Sequence, residues 1–261
     1  MIHSLLLAAG ILFVSQTVFF AIASLRKDNG IADVAWGAGF PLLALGQMML
    51  HWPPTCMQSV TVLLVLLWGV RLIAHLLPRV RSGGEDWRYA RMRERWGASA
   101  AWKSYTHVFL FQGLLLGVTA LPILLVFQES ASMPGPLDVA GTALFLFGLT
   151  FETIADRQLI QFLRTRKSES NRIMTEGLWR VSRHPNYFGE AVVWWGLWLM
   201  ALSAPFGWAG LISPVLITVL LTRVSGVPML EAKYAHDPQF QDYKKKTSMF
   251  VPWFPRKKNG E

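Results

Sequence analysis

The densest chemistry in the chain lies in VSRHPNYFGE, Val181 to Glu190, which runs straight into the apolar sequence AVVWWGLWLMAL. It supplies a guanidinium, an imidazole, an amide, a phenol and a carboxylate. Pro185 suits the first turn of a helix, where its missing N–H costs nothing. A helix beginning there presents unpaired backbone N–H groups and the positive end of its dipole, an arrangement that holds anions. Arg180, Arg183 and His184 surround this mouth, and Arg164, Arg166, Lys167 and Arg172 precede it. Guanidinium groups grip phosphates through paired hydrogen bonds. An anionic nucleotide cofactor would satisfy the set. A basic loop ahead of a membrane helix is the plainer alternative.

Further ionisable groups sit inside apolar segments: Asp33, Arg71, His75, Glu152, Asp156, Arg157, Glu190 and Arg223. Such residues are rare in membrane spans and usually mark function. Arg71 and His75, Glu152 and Asp156, and Asn186 and Glu190 are each four residues apart, so each pair shares one helix face. The expectation is one polar cavity, fed by five helices and open to the cytoplasm. The alternative is that these charges snorkel to headgroups, which acids do poorly.

The elements that must position these groups are membrane helices. The chain has 261 residues, of which 52% are hydrophobic and 16% charged; a soluble domain carries about 25% charged residues. Seven spans can be read, at about 2–25, 31–50, 58–78, 105–128, 137–163, 186–204 and 207–223, each near the ~20 residues that cross a bilayer. The first is expected to span rather than to be a cleaved signal, because it lacks a basic leader and is followed by Arg26 and Lys27. Lys and Arg collect in alternate loops: Arg26 and Lys27, seven between Arg79 and Lys103, six between Arg164 and Arg183, and eight from Arg223 to Lys258. The loops HWPPTCMQS, QESASMPGP and SAPFG hold none. This bias predicts an outside N-terminus and a cytoplasmic C-terminus. It accounts for the net charge of +9 without nucleic acid.

The fold expectation is therefore all-α and polytopic, a single domain over residues 1–261 with a cofactor half at about 151–254. RSGGEDWRYARMRERWG has the pattern of a short interfacial helix. A single cysteine, Cys56, excludes an internal disulfide and a cysteine metal cluster. The six histidines are scattered, so no metal site is expected. No GxGxxG follows a strand, which excludes a Rossmann domain on pattern.

GLWRVSRHPNYFGE, with ADRQLIQF upstream and SGVPMLE downstream, resembles the bacterial DUF1295 proteins of the steroid 5-alpha-reductase C-terminal superfamily. DVAWG and GEDWRYARMRERWG look like the same group, and the resemblance is strongest from about Phe151 to Phe254. It implies a seven-helix enzyme of the bacterial inner membrane, its site facing the cytoplasm, that uses NADPH to reduce a carbon–carbon double bond conjugated to a ketone. The expected substrate is an apolar lipid or steroid-like enone, and the expected state a monomer among membrane lipids. By resemblance, Asp156 and Arg164 fall on the helix and loop that meet the adenosine end of the cofactor, and Arg172 matches a cofactor arginine. Asn186 and Glu190 match the asparagine and glutamate near the nicotinamide, and Arg71 and Arg223 match arginines of the family. Arg180, Arg183, His184, Tyr187 and Glu231 are also expected to bind the cofactor, with Glu231 standing where the family usually has a polar aromatic residue. Steroid reductases carry a Gln-Glu pair and a tyrosine that polarise the ketone. Here Ala32, Asp33 and Trp68 stand in those places, and an indole does not replace a phenol as a proton donor.

The same RHPNY segment also resembles isoprenylcysteine carboxyl and phospholipid methyltransferases, which bind S-adenosylmethionine. The abundance of arginine, with ADRQL and SGVPMLE, favours NADPH. The expected mechanism sends hydride to the enone β-carbon while a donor meets the ketone oxygen. Protonated Asp33 is the first choice and His75 the second; Asp33 as a helix cap is the structural alternative. Trp36, Phe40 and Trp68 are expected to line the substrate path.

Overall fold

The computed structural model describes residues 1–81, 84–128, 133–165 and 173–255. Among these residues every regular element is helical. Among the described residues, four stretches are long and apolar enough to cross a membrane: Ile2–Arg26, Cys56–Val80, Pro136–Thr165 and Gly207–Lys233. The chain divides into two compact units, residues 1–138 with 200–212, and 139–199 with 213–261.

The first unit begins with α1 (Ile2–Arg26), α2 (Ile31–Leu50) and α3 (Cys56–Arg81), and α2 packs against both neighbours. The sidedness of α1 suits lipid. Leu6, Phe13, Val14 and Leu25 are exposed, while the buried stripe is Ser4, Ala8, Leu12, Ser15 and Gln16. Small and polar residues face the protein and bulky apolar ones face outward, the reverse of a soluble helix. Lys27 closes α1 in the left-handed conformation, at φ 54°. Asp28 then accepts from the Gly30 N–H at 2.8 Å and α2 starts at once.

Next come α4 (Trp87–Trp96) and α5 (Ala100–Lys103), then a π-helical stretch, Ser104–Leu110, then α6 (Phe111–Thr119) and α7 (Leu121–Val126). The span expected over 105–128 is thus not one regular helix. It changes winding at Leu110 and again at Ala120. Pro122 lies in the first turn of α7, where a ring without an N–H is accepted and a continuous helix is not.

The second unit contains nearly all of α8 (Pro136–Thr165) and α9 (Pro185–Ala201), most of α10 (Ile212–Val219), then α11 (Val227–Lys233) and α12 (Pro238–Lys246). The segment expected over 207–223 is likewise composite: a 3-10 turn at Gly207–Leu211, then α10, then π winding at Leu220–Val224.

Helices α8 and α9 meet through glycine. A Cβ on Gly148 would lie 2.7 Å from the Gly189 carbonyl oxygen, and one on Gly189 would lie 2.6 Å from the Glu152 nitrogen. Seven residues along α9, Gly196 meets the Phe145 nitrogen and the Gly141 carbonyl in the same way. Paired small residues let helix backbones touch where no water drives association. This contact decides which α8 side chains face the first turn of α9.

Candidate functional site

In the second unit, VSRHPNYFGE is built from both sides. α9 begins at Pro185, as the sequence predicts. The acids of α8 lie against it: Glu152 is 3% exposed and Asp156 5%. The Asn186 side-chain N–H donates to Asp156 Oδ1 at 3.1 Å, which fixes the orientation of the amide. The approach to α9 is also fastened to α8. The Trp179 indole donates to the Ala155 carbonyl at 3.0 Å, and the Leu178 N–H to Gln158 Oε1 at 2.9 Å. Gly177, at φ 57°, turns the chain beside Gln158, where a Cβ would meet the amide at 2.5 Å.

From the other side, the residues after α12 run along 181–183. The Arg183 N–H donates to the Ser248 carbonyl at 2.8 Å, the Trp253 N–H to the Val181 carbonyl at 2.9 Å, and Ser182 Oγ to the Phe250 carbonyl at 2.8 Å. The Tyr243 hydroxyl donates to the carbonyls of Trp179 and Ser182. Burial pushes this phenol well above its ordinary pKa, so it stays a donor. Arg183 and His184 close the site on Glu231. Arg183 Nε lies 2.8 Å from Glu231 Oε1, His184 Nε2 3.3 Å from the same oxygen, and Lys244 Nζ 3.0 Å from Oε2. A second Arg183 nitrogen donates to the carbonyls of Thr247 at 2.7 Å and Lys244 at 3.2 Å. The His184 ring stacks on Tyr187 at 5.6 Å between centroids.

The first unit holds a separate cluster around Asp33. Tyr89 Oη donates to Asp33 Oδ1 at 2.8 Å, and an Arg88 terminal nitrogen donates to Oδ2 at 3.0 Å. The capping alternative for Asp33 does not hold. The residue before α2 is Gly30, without a side-chain cap, and the Asp33 carboxylate turns instead to α4. Asp86 caps α4, accepting from the Arg88 N–H at 3.0 Å and from Arg88 Nε at 2.8 Å. Glu85 accepts from the Asn29 N–H at 2.9 Å and pairs with Arg93 at 2.7 Å, so the α1–α2 turn and α4 are tied together. Burial opposes the charge on Arg88, but its hydrogen bond to Asp86 and the charge of Asp33 outweigh burial and raise its pKa. Burial and then the Asp33 charge push the Tyr89 phenol well up. Burial also opposes the charge of Asp86, yet the bonds from Arg88 lower its pKa.

The expected site residues therefore fall into two sets. Asp156 and Asn186 are brought together, as are Arg183, His184 and Glu231. Tyr187 and Glu190 are half-buried on α9, while Arg164, Arg180 and Arg223 are exposed. Asp33, Arg71, His75, Trp36, Phe40 and Trp68 belong to the first unit. Arg71 and His75 are half-buried on α3. Trp36, Phe40 and Trp68 form an edge-to-face run with centroids 5.2 and 5.5 Å apart, the last two rings fully buried. Arg172, with Arg166 and Lys167, lies outside the described residues. Sequence reasoning missed Tyr89 and Arg88, which sit in a stretch it assigned to the membrane surface. It also missed Tyr243 and Thr247, whose polar surroundings gave no sign of burial. The heptad spacing of Gly141 with Gly148, and of Gly189 with Gly196, was the signal available for the α8–α9 contact.

Residues 19–247 match a family described as a protein of unknown function, DUF1295. The chain belongs to the DUF1295 family. It is also 25% identical over 216 residues to an uncharacterized protein of Schizosaccharomyces pombe, covering 71% of this chain. The chain spans 60% of the length of that relative. No solved structure matches. The DUF1295 match takes in both clusters, from Asp33 to Glu231.

Proposed function

We propose that this DUF1295 protein is an NADPH-dependent membrane reductase of an apolar, conjugated enone, with seven spans, its N-terminus outside and its site facing the cytoplasm of a bacterial inner membrane. The observation that carries the reading is the buried acid pair of α8 against the mouth of α9, with Asn186 held by Asp156 at 3.1 Å. Removing a carboxylate from water costs several kcal/mol, and such groups inside membrane helices are retained for a task. The donor set suits a nucleotide: an oriented amide, a buried acid ladder, and the exposed guanidiniums of Arg164, Arg180 and Arg223. The family resemblance of the RHPNYFGE segment supports NADPH as that nucleotide.

A nicotinamide cofactor, when bound, supplies the hydride. The chain's own groups do the rest. Asn186, oriented by Asp156, and Glu190 would hold the amide of the nicotinamide ring. Asp33 is the proposed donor toward the ketone oxygen and His75 the second choice. The Tyr89 hydroxyl and Arg88 hold the Asp33 carboxyl group in place. A positioned donor of this kind contributes roughly 10²- to 10⁴-fold in rate.

One observation favours the second reading, an S-adenosylmethionine-dependent methyltransferase. Arg183 is committed to Glu231 and to two backbone carbonyls, which takes one cation from the phosphate-binding account. A thermal-shift titration of the purified protein decides between them. A ligand at a hundred times its Kd adds about 2.7 kcal/mol of stability. Stabilisation by NADPH that is lost in Asn186→Ala supports the reductase. Stabilisation by S-adenosylmethionine alone overturns it.

A further inference from the structure

The tail beyond α12 forms a cleft of about 370 Å³ in the second unit, distinct from the Asp156–Asn186 seam. Lys244, Lys245 and Lys246 line it together with Ser248, Trp253 and Phe254. The lining combines charge with apolar exposure.

The first is charge. The four cations Arg183 and Lys244–Lys246 are answered by two carboxylates, Glu231 and Asp242. Lys244 pairs with Glu231 and Lys246 with Asp242 at 2.7 Å, and among the described residues Lys245 has no ion pair. The cleft is therefore net positive. The lysines are stacked at the C-terminal turn of α12, where the helix dipole favours cations. That explains their tolerance, but not the aromatic residues that share the cleft with them.

The second is apolar exposure. Trp253 is 70% exposed and Phe254 83%, next to an exposed Val251 and Met249. This is not slack chain, because the Trp253 N–H and the Phe250 carbonyl are both bonded to residues 181–182. The fold holds an indole and a phenyl ring outward beside three lysines. Contiguous exposed apolar surface of this kind marks an interaction site. Trp beside Lys is the composition of the membrane interface, where the ring sits at headgroup depth and the ammonium groups meet anionic lipid.

We propose that this cleft is a binding site for the anionic headgroup of a phospholipid from the adjacent leaflet. The lysines meet the phosphate and Trp253 and Phe254 cover the glycerol and upper acyl region. An amphiphile accounts for both kinds of lining residue, whereas a free anion leaves the aromatic ones unexplained and an apolar ligand leaves the lysines unexplained. The site is independent of any cofactor at Asn186. Through Arg183 and Ser248 it is one hydrogen bond from the segment that leads into α9.

The test is native mass spectrometry of the full chain in an uncharged detergent, titrated with dioctanoyl phosphatidylglycerol and, separately, dioctanoyl phosphatidylcholine. The wild type should retain one phosphatidylglycerol in preference to phosphatidylcholine. Lys245→Gln with Lys246→Gln, which leaves the Glu231 pairs intact, should lower that retention roughly thirty-fold, at about one interfacial charge per Lys. Trp253→Ser should weaken both lipids. Arg91→Gln with Arg95→Gln, exposed cations on α4, should change neither. Equal retention of the two lipids, an unaffected lysine variant, or an equal loss in the α4 variant overturns the proposal. So does displacement of the lipid by inorganic phosphate at the same concentration, which would make the cleft a simple anion site.

Discussion

Two carboxylates, Asp33 and Glu231, are each gripped by an arginine and one further hydrogen-bonding side chain or more, yet they differ in what surrounds the grip. At Glu231 the ion pair with Arg183 is sealed, with side chains 7% and 11% exposed, and Arg183 also satisfies two backbone carbonyls. At Asp33 the pair with Arg88 leaves 26% and 29% of the two side chains open, and the partner comes from a surface helix. A buried pair whose arginine also holds two backbone carbonyls is part of the scaffold. The half-open pair leaves Arg88 and Asp33 partly exposed, while Tyr89 is buried beside Ala32 and Phe109. Under the proposed function the first cluster supplies chemistry, and the second fastens the chain that leads into α9.

The largest expected effect would come from breaking the sealed pair. Arg183→Ala leaves Glu231 without its main partner and two carbonyls without a donor, and removing one member of a buried pair costs about 3–5 kcal/mol. Unfolding in detergent should show it as a large drop in melting temperature. Arg183→Lys should recover little, since an ammonium cannot reproduce the fork. Arg88→Ala is the matched experiment. Its pair is partly solvated, so the loss should be about 1 kcal/mol or less. Equal losses in the two variants would erase the distinction between scaffold and site.

Tyr89→Phe comes next, and its effect should fall on turnover. It removes one hydroxyl from Asp33, worth about 1–3 kcal/mol to stability at most for a bond to a charged group. Under the proposed reaction it also frees the Asp33 carboxyl group to move, and turnover should fall while NADPH affinity holds. Unchanged turnover would take Tyr89 out of the reaction.

How much of this was legible in the sequence follows from the same contrast. Helices α1, α2, α3, α8 and α9 begin and end close to where the apolar runs and Pro185 place them. The pairing of Asp156 with Asn186 was foreshadowed, because four-residue spacing and a helix mouth are local signals. The partners of Asp33 and Glu231 were not. Tyr89 lies 56 residues from Asp33 and Arg183 48 from Glu231, and no periodicity connects such distances. Breaks in winding, such as the π stretches at Ser104–Leu110 and Leu220–Val224, leave hydropathy unchanged and so pass unseen. The glycine contact of α8 with α9 was readable in principle, but only once two heptad-spaced pairs are compared across helices.

That contact supplies the third test. Gly189→Ala puts a methyl group 2.6 Å from the Glu152 backbone nitrogen, which cannot yield as a flexible side chain could. Overpacking of this kind costs about 1–3 kcal/mol. The helices should separate enough to break the Asn186–Asp156 bond, so ligand stabilisation should fall along with the melting temperature. If melting alone changes, the acid seam is not where the ligand binds.

The smallest effect concerns α4, the element that carries Tyr89 and Arg88 to Asp33. Its cap is Asp86, whose pKa is lowered because Arg88 hydrogen-bonds the ionised form in spite of burial. A carboxylate lowered on folding stabilises above its ordinary pKa and loses that contribution as pH falls through the lowered value. The α4 cap should therefore be intact at neutral pH and fail only below the ordinary Asp range. Asp86→Ala should cost about 1 kcal/mol, as for other caps, and flatten the acid limb of the stability curve. Hydrogen exchange would locate the loss. Faster exchange confined to 86–96 at low pH in the wild type, and at all pH values in the variant, would show that the open cluster depends on a helix that is itself only locally held. Uniform exchange across α2 and α4 would instead mean that Asp33 and α4 unfold as one piece, making the first unit's cluster as structural as the second's.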